Sequence, residues 1–323
     1  MKKFAALALL AVLAIYFWNA SWLAATPETP AVKLIAHRGV HHTFDRTDLD
    51  SDTCTALRIH PPEHDLFENT IPSMQAAFAA GAEIVELDVH PTTDGQFAVM
   101  HDWTVDCRTE GTGETRSHDM AYLKTLDVGY GYSADGGETF PLRGKGVGLM
   151  PSLADVLAAM PERRFLINFK SNEEREAAML ADLAEREPEW RTSLWGAYGG
   201  DAPTLAAQKR LPALKTWTRR GLFACLGRYV ALGWSGYVPE ACRNTMVMLP
   251  INVAPWLWGW PNRFQQRLAA VGSEIILLGP YGAGDPGTAG IDDLETLDRV
   301  PTSFDGYVWT NRIEIIGPAL ASR

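Results

Sequence analysis

Short apolar segments alternate with helix-like segments along most of the chain, and this alternation limits the possible folds more than any other feature. The apolar runs predict strands over residues 32–36, 83–89, 96–101, 164–169, 194–196, 213–217, 245–249, 275–278 and 307–310. Segments between them predict helices over residues 73–80, 151–160, 172–188, 203–210 and 262–271. Such alternation predicts an α/β fold with a parallel sheet and right-handed crossovers. About eight strands favour a (β/α)8 TIM-type barrel over an open sheet, although the alternation separates these two only weakly.

Length and charge limit the domain count and the partners. The chain has 323 residues, and residues 32–323 fit a single barrel domain. The formal net charge is −10. An acidic surface argues against a nucleic-acid partner, because phosphate backbones bind clustered Lys and Arg. A small phosphodiester held in a local basic pocket is compatible with this charge.

Residues 1–25 form an apolar segment after a positively charged start. Met1-Lys2-Lys3 precedes apolar sequence that runs from Phe4 to Trp18 and weakens towards Ala25. The segment is long enough for an uncleaved membrane anchor of about 20 residues. It also resembles a cleaved signal peptide, and a buried helix of a soluble domain is a third interpretation. In the first two cases we expect an exported, extracytoplasmic or periplasmic domain, which residues 26–31 link to the segment.

Four cysteines occur in the chain: Cys54, Cys107, Cys225 and Cys242. An even number in an exported protein suggests disulfides. Proximity in sequence favours a Cys225–Cys242 pair, which leaves Cys54 with Cys107. Four buried free thiols are the alternative.

Two segments depart from the regular alternation. Residues 40–67 are polar and contain Pro61-Pro62, which predicts a long loop of the kind that often serves as a lid or binding loop. Residues 218–262 contain Trp234, Trp256, Trp258 and Trp260. This segment is interpreted either as an aromatic part of the core or as an apolar patch that meets lipid or the mouth of the site.

Polar side chains gather where four of the predicted strands end. These are His37 and Arg38 after the first strand, Glu86 and Asp88 on the second, His101 and Asp102 after the third, and Asn168 and Lys170 on the fourth. Functional groups of a (β/α)8 barrel lie at the carboxyl ends of its strands. We therefore expect these side chains to meet at one rim.

The residue types at this rim predict metal-assisted chemistry on an anion. Glu86 and Asp88 alternate on one strand, point to the same face and repel each other, and a divalent cation such as Mg²⁺ or Ca²⁺ would resolve that repulsion. His37 and His101 suit acid–base catalysis because imidazole titrates near neutral pH. Arg38 and Lys170 suit an anionic phosphate.

The ordered motifs resemble the glycerophosphodiester phosphodiesterase family. The resemblance rests on His37-Arg38-Gly39, Glu68-Asn69-Thr70, Glu86-x-Asp88-Val89, Thr93-Asp94-Gly95, His101-Asp102, Pro151-Ser152-Leu153, Asp305-Gly306 and Thr310-Asn311-Arg312. It covers residues 34 to about 315 and is thin between 190 and 300. It implies a (β/α)8 barrel, a divalent cation, an acid–base pair at His37 and His101, and metal ligands at Glu68, Glu86 and Asp88.

Two departures from the family pattern bear on the site. The family usually has a Glu two residues before the Lys of its fourth strand, and this chain has Asn168 at that position. An amide oxygen can bind Mg²⁺ or Ca²⁺ but carries no charge, so we expect weaker metal binding or a different metal if Asn168 is a ligand. The 40–67 loop is longer than the family's usual connection. A Cys54–Cys107 bond would hold this loop over the mouth of the barrel and shape the substrate range.

The sequence therefore predicts metal-dependent hydrolysis of a glycerophosphodiester to an alcohol and glycerol 3-phosphate. Attack by water and attack by the neighbouring glycerol hydroxyl both remain open. A lysophospholipase D-like or polyglycerolphosphate-cleaving activity is an alternative, since the N-terminal segment and the tryptophans suggest membrane contact. A barrel that binds a phosphodiester without cleaving it is a further alternative, which rests on Asn168 alone.

Overall fold

A nearly closed barrel of parallel strands forms the body of the protein in the computed structural model, which describes residues 2–49, 53–282 and 289–322. Within these ranges the strands are β1 (Val32–His37), β2 (Ala82–Pro91), β3 (Phe97–Val99), β4 (Arg164–Phe169), β5 (Leu194–Gly199), β6 (Lys215–Thr216), β7 (Met246–Pro250), β8 (Glu274–Leu278) and β9 (Gly306–Thr310). The parallel strands follow the order β6-β5-β4-β2-β1-β9-β8-β7. The predicted (β/α)8 barrel is confirmed, whereas residues 50–52 of the predicted loop lie outside the described residues.

The described part of the chain contains ten helices, most of which pack on the outer surface of the barrel. They are α1 (Lys2–Asn19), α2 (Ile71–Ala79), α3 (Met120–Leu123), α4 (Leu153–Ala159), α5 (Arg175–Arg186), α6 (Asp201–Arg210), α7 (Arg219–Leu232), α8 (Asn262–Ala269), α9 (Leu294–Asp298) and α10 (Ile313–Ala321). Short 3₁₀ helices span Ser21–Leu23, Thr55–Arg58, Thr115–Ser117, Pro188–Thr192, Gly233–Ser235, Glu240–Cys242 and Ala254–Trp256. The predicted helices are confirmed to within a few residues.

The strands alternate between two apolar environments. On β2, Val85 and Leu87 pack outwards against the helices, whereas Ile84 packs inwards with Leu166 of β4. Because side chains alternate along a strand, Glu86 and Asp88 share the inner face with Ile84. The apolar layer at one end of the barrel therefore gives way to polar side chains at the carboxyl end.

A side-chain hydrogen bond bridges the gap between β6 and β7, the two end strands of the sheet. β6 has only two residues, and the ladder between β6 and β7 is missing from the strand pairs of the described chain. Thr245, directly before β7, donates its hydroxyl to the carbonyl oxygen of Thr216 at 2.7 Å. This hydrogen bond joins the two end strands where backbone pairing does not.

The strand predicted over residues 96–101 has a different role from the one expected. Its central part forms β3, which pairs antiparallel with β2 through Val89 and Val99 and lies off the barrel path. Only a tight turn around Gly95 connects it to β2, and such a connection permits an antiparallel neighbour but not a parallel one. Residues 100 and 101 therefore leave the strand and carry His101 to the rim.

Both predicted disulfides are present, so the alternative of four free thiols is wrong. Cys54–Cys107 and Cys225–Cys242 have Cα–Cα distances of 5.5 and 4.8 Å. The first attaches the 40–67 loop to the segment after β3. The second fastens α7 to the 3₁₀ turn before β7.

The N-terminal segment forms α1, and its side chains are largely exposed. Phe4 is 80% exposed and Leu7 is 64% exposed, so the interpretation as a buried helix is wrong. The helix touches the barrel at its end, where Asn19 donates to the carbonyl oxygen of Trp234 at 2.8 Å. In the described part of the chain, no helix is both long and apolar enough to span a membrane.

The tryptophan-rich segment contributes to the core, as one interpretation predicted, whereas contact with lipid or the mouth of the site stays a prediction. Trp260 packs against Phe264 and Phe304 and so belongs to the core. Trp256 is 82% exposed, and Trp234 is also exposed. The segment therefore contributes one tryptophan to packing and presents others to the surface.

Removing the Cys225–Cys242 disulfide should destabilise the barrel. The bond closes a short loop, which in the chain-entropy account corresponds to about 3 kcal/mol of unfolding free energy. For a domain of this size we expect Cys225→Ala/Cys242→Ala to lower the thermal midpoint by roughly 5 °C. Thermal denaturation followed by circular dichroism checks this, with the oxidised wild type as control. An unchanged midpoint would contradict the stabilising role.

Candidate active site

Two carboxylates lie completely buried at the carboxyl end of the barrel. Glu86 and Asp88 are both 0% exposed. Strand register places Glu86 beside His37 of β1 and Asp88 beside Asn168 of β4. The predicted meeting of these strand ends is therefore present in the structure.

Asp88 is surrounded by hydrogen-bond donors and cations. Asn69 donates to its Oδ2 at 3.0 Å and Asn168 donates to its Oδ1 at 2.8 Å. The Nε atom of Arg38 lies 3.1 Å from Oδ2, and Nζ of Lys170 lies 3.7 Å from Oδ1. Burial acts to raise the pKa of Asp88, but the charges of Arg38 and Lys170 outweigh it and hold the pKa well below its usual range. Asp88 is therefore a permanent anion.

The surroundings of Glu86 raise its pKa, whereas those of Asp88 lower the pKa of Asp88. Burial, reinforced by the charge of Asp88, raises the pKa of Glu86 to about 8. The hydroxyl of Tyr198 donates to its Oε1 at 2.7 Å. Its Oε2 is buried without a hydrogen-bond partner among the described residues and lies 3.7 Å from Nε2 of His37. The pair thus holds one firm negative charge on Asp88 and one carboxyl oxygen of Glu86 without a hydrogen-bond partner among the described residues.

His37 is fixed in orientation by an amide. Its Nδ1 lies 2.6 Å from Oδ1 of Asn311, and the Nδ2 of Asn311 donates to Asp292 at 2.8 Å. Since Asp292 accepts from the amide nitrogen, the amide oxygen faces His37, so Nδ1 carries the proton and Nε2 carries the lone pair. Burial, followed by the charge of Arg38, lowers the pKa of His37 well below its ordinary value. His37 is therefore a neutral imidazole whose Nε2 faces Glu86.

His101 is supported by a carboxylate instead of an amide. Its Nδ1 lies 2.7 Å from Oδ1 of Asp102, and Arg108 donates from Nε to Oδ2 of Asp102 at 2.8 Å. Burial acts to raise the pKa of Asp102, but Arg108 overcomes it and keeps the carboxyl ionised. Burial, followed by the charge of Arg38, lowers the pKa of His101. The Asp102 carboxylate fixes the imidazole and stabilises positive charge on it.

Glu68 lies between two arginines. Its Oε1 is 3.2 Å from Nη1 of Arg38, and its Oε2 is 3.3 Å from Nη1 of Arg108. Burial acts to raise the pKa of Glu68, but these two cations lower it. Glu68 thus links the Arg38 side of the site to the His101 side, and its predicted role as a metal ligand stays a prediction.

The backbone around Arg38 is held in an unusual conformation. Arg38 and Asn69 have φ angles of 61° and 59°, and Gly39 has a φ of 83°. A Cβ on Gly39 would lie 2.1 Å from Oγ of Ser73. Only glycine fits this close approach, which turns the chain sharply after Arg38 and aims its guanidinium at Asp88.

Asn69 and Thr70 precede α2 but do not cap it as their residue types suggest. Thr70 occupies the N-cap position without a side-chain capping bond, and its hydroxyl donates to the carbonyl oxygen of Phe67 at 2.7 Å. Asn69 is directed into the site, where its Oδ1 accepts from the backbone N–H of Asp88 at 3.1 Å. Both side chains therefore bond to residues outside α2 and not to the N–H groups at its first turn.

A divalent cation fits the carboxylate pair, although the donor set is small. Among the described residues, no group of three or more His, Cys, Asp or Glu is arranged to hold a metal ion. Nevertheless, Glu86 and Asp88 are two neighbouring buried carboxyl groups, and Oε2 of Glu86 has no hydrogen-bond partner among the described residues. Asn168 directs its Nδ2 at Asp88, so its oxygen would serve as a ligand only after the amide rotates.

Three contributors to the site were not predicted from the sequence. They are Arg108, Tyr198 and Asp292. Tyr198 lies near the end of β5, which is a position that the strand-end argument could have identified. Arg108 and Asp292 lie in loops, where no pattern marks them apart from the position of Arg108 next to Cys107.

Two solved structures that share the fold are named as glycerophosphodiester or glycerophosphoryl diester phosphodiesterases. A glycerophosphodiester phosphodiesterase from Agrobacterium tumefaciens aligns with a TM-score of 0.54 and 21% identity, covering 89% of this chain and 100% of that chain. A glycerophosphoryl diester phosphodiesterase domain from Mycobacterium tuberculosis aligns with a TM-score of 0.58 and 14% identity, covering 89% of this chain and 98% of that chain. At these identities the similarity establishes the fold.

Sequence relatives are similar over a shorter span. A glycerophosphodiester phosphodiesterase from Caldanaerobacter subterraneus is 36% identical over 103 residues, which are 32% of this chain and 39% of the relative. A second, from Bacillus subtilis, is 39% identical over 93 residues, which are 28% of this chain and 30% of the relative. The chain thus spans about a third of the length of these curated relatives.

A family model provides the broader match. The model described as the glycerophosphoryl diester phosphodiesterase family matches residues 37–206, which are more than half of the chain. This range begins at His37 and includes both carboxylates, His101 and Lys170. The chain belongs to the glycerophosphoryl diester phosphodiesterase family.

Proposed function

We propose that the protein hydrolyses glycerophosphodiesters to an alcohol and glycerol 3-phosphate. The observation that carries the proposal is the buried Glu86–Asp88 pair, which has His37 3.7 Å from Glu86 and His101 close enough to act electrostatically on Asp88. Arg38 and Lys170 lie beside the same pair, where they can hold an anionic phosphate. Family membership supports this reading of the site.

The overall reaction requires one proton acceptor and one proton donor. The oxygen of water forms a new bond to phosphorus, while the bond from phosphorus to the alcohol oxygen breaks. One proton leaves the attacking water, and another reaches the departing alcohol oxygen. We assign these two proton transfers to His37 and His101, because each ring is held by a neighbouring side chain.

The different partners of the histidines suit them to different charge states. Asn311 is neutral and supports a neutral His37, which has its lone pair on Nε2. Asp102 is an anion and stabilises His101 when that ring carries a proton. Two imidazoles in unlike settings favour the division between base and acid that hydrolysis needs.

A divalent cation, Mg²⁺ or Ca²⁺, belongs to this proposal. Glu86 and Asp88 would hold it, and Glu68 and Asn168 remain predicted additional ligands. When bound, the cation polarises the phosphoryl oxygens. Because Asn168 carries no charge, we propose that the cation binds less tightly than it would at a site with a third carboxylate.

We propose that the barrel functions outside the cytoplasm. Two disulfides are typical of oxidising compartments, and Met1-Lys2-Lys3 followed by apolar sequence is typical of exported chains. The exposed apolar side chains of α1 and the exposed Trp256 support contact with a membrane surface. The same exposed side chains favour a lysophospholipid as the second candidate substrate.

Removing either histidine should abolish most of the activity. We expect His37→Ala and His101→Ala each to lower kcat by about 10²- to 10⁴-fold on glycerophosphocholine, because each removes a proton-transfer group. Release of glycerol 3-phosphate with Mg²⁺ or Ca²⁺, and its loss on chelation, is the measurement. His118→Ala is the matched control, since the His118 ring contacts Thr112 and Tyr122, which are not among the proposed site residues. Unchanged turnover in His37→Ala would refute the proton-transfer role.

Arg108 should act on catalysis through Asp102 without touching the substrate. We expect Arg108→Met to lower kcat about tenfold to 100-fold while KM changes less than about threefold, because His101 loses its fixed partner. Steady-state kinetics on protein shown to be folded by circular dichroism measure this. Arg299→Met, at an exposed arginine, is the control. A change confined to KM would assign Arg108 to substrate binding instead.

A further inference from the structure

A cavity that includes His41 in its lining lies beside the proposed catalytic site. It has a volume of about 290 Å³, and its lining includes His41, His42, His64, Glu63, Arg312 and Glu314. The rings of His37 and His41 have centroids 6.1 Å apart. Arg312 follows Asn311, the residue that fixes His37. Two lining residues, His41 and Arg312, therefore lie next to His37 and to the residue that fixes it.

Most of this cavity is built by the 40–67 loop, the segment that is longer than in the family pattern. The rings of His42 and His64 stack with centroids 4.4 Å apart. Thr43 bonds to His60 at 2.9 Å, and Phe44 pairs with Ile59. These contacts hold the two ends of the loop together, so the histidines face a formed cavity.

Three buried polar atoms of the cavity residues have no hydrogen-bond partner in the described chain. They are Nε2 of His41, Nε2 of His42 and Oε2 of Glu314. His41 and His42 are each 6% exposed. Buried polar atoms are nearly always paired in native structures, so a cluster of three beside a cavity indicates that a ligand supplies the missing partners.

The unpartnered atoms are mainly acceptors. Nδ1 of His41 lies 3.1 Å from the carbonyl oxygen of His42, and a carbonyl only accepts, so the proton is on Nδ1 and the lone pair is on Nε2. Glu314 accepts from Arg312 with Oε1, which leaves Oε2 with open acceptor capacity. A fitting ligand therefore presents N–H or O–H donors.

The charge of the cavity argues against an anionic ligand. Arg312 is the one cation among the lining residues of the described chain, and it is paired with Glu63 at 3.6 Å and with Glu314. Burial lowers the pKa of His41, and it lowers the pKa of His42 to about 4, so both rings are neutral at pH 7. Two carboxylates against one guanidinium leave the cavity with a net negative charge.

We propose that this cavity is the leaving-alcohol subsite and that it selects alcohols with a primary ammonium group at their far end. The proposal rests on the proposed function, since it seats the phosphate at Arg38 and Lys170 and the alcohol in the cavity. A primary ammonium has three N–H donors and a positive charge, which match the unpartnered acceptors and the carboxylates. A trimethylated ammonium has the charge but no donors, and it would leave the same acceptors unpaired.

Substrate discrimination tests the subsite directly. We expect kcat/KM for glycerophosphoethanolamine to exceed that for glycerophosphocholine by at least about tenfold. Glu314→Gln keeps the side-chain size and removes the charge, so it should lower this ratio towards one, mainly through the ethanolamine diester. Glu295→Gln, at an exposed glutamate of α9, should leave the ratio unchanged. A wild-type ratio of one or below overturns the proposal.

Direct binding separates failure of the subsite from failure of the proposed function. Titration of the wild-type protein with ethanolamine, followed by the NMR signals of the His41 and His42 rings, needs no turnover. Ring shifts with ethanolamine but not with choline support the subsite. If neither diester is hydrolysed while these shifts occur, the proposed function is refuted and the subsite is not. Hydrolysis of both diesters at equal rates, with no ring shifts, refutes the subsite alone. His42→Phe provides a second variant, which should lose the ethanolamine-dependent shift of the His41 ring.

Discussion

The buried Glu86–Asp88 pair is the constraint on which the rest of the site depends. Two carboxylates on one inner face of β2, both without solvent exposure, are unfavourable unless their surroundings compensate them. Arg38 and Lys170 keep Asp88 ionised, whereas Glu86 is left to bind a proton or a cation. One further positive charge would therefore neutralise the pair, and the proposed divalent cation would supply it.

The support around this pair extends outwards through successive ion pairs. Arg38 joins Asp88 to Glu68, and Arg108 joins Glu68 to Asp102, which fixes His101. The same region is tied down by the Cys54–Cys107 disulfide, and Arg108 also donates to Thr55 beside that bond. The long loop therefore has two effects: it steadies the His101 side of the site and it builds the cavity beside His37.

Much of the site could be predicted because a parallel barrel places consecutive strand ends at one rim. Alternation along β2 was enough to place Glu86 and Asp88 together, and an apolar run ending in His37 was enough to place the imidazole. The pattern could not show that β3 leaves the barrel, because a short apolar run looks the same in a parallel or an antiparallel position. Arg108 and Asp292 reach the site from loops, where distant contacts decide the geometry and no periodicity reports them. The exposure of α1 likewise could not be predicted, because it depends on which other elements pack against the helix and composition does not report that.

Substitution of Glu86 by Gln tests the central claim most directly. Gln keeps the shape of the side chain and its contact with Tyr198, but it cannot supply the negative charge that a cation requires. The measurement is kcat for release of glycerol 3-phosphate from both the ethanolamine and the choline diester, with folding verified by thermal denaturation. The account predicts a folded protein whose kcat is at least about 100-fold lower on both diesters, in the range typical for loss of an electrostatic catalytic group. A folded Glu86→Gln protein that hydrolyses either diester at the wild-type rate would contradict it.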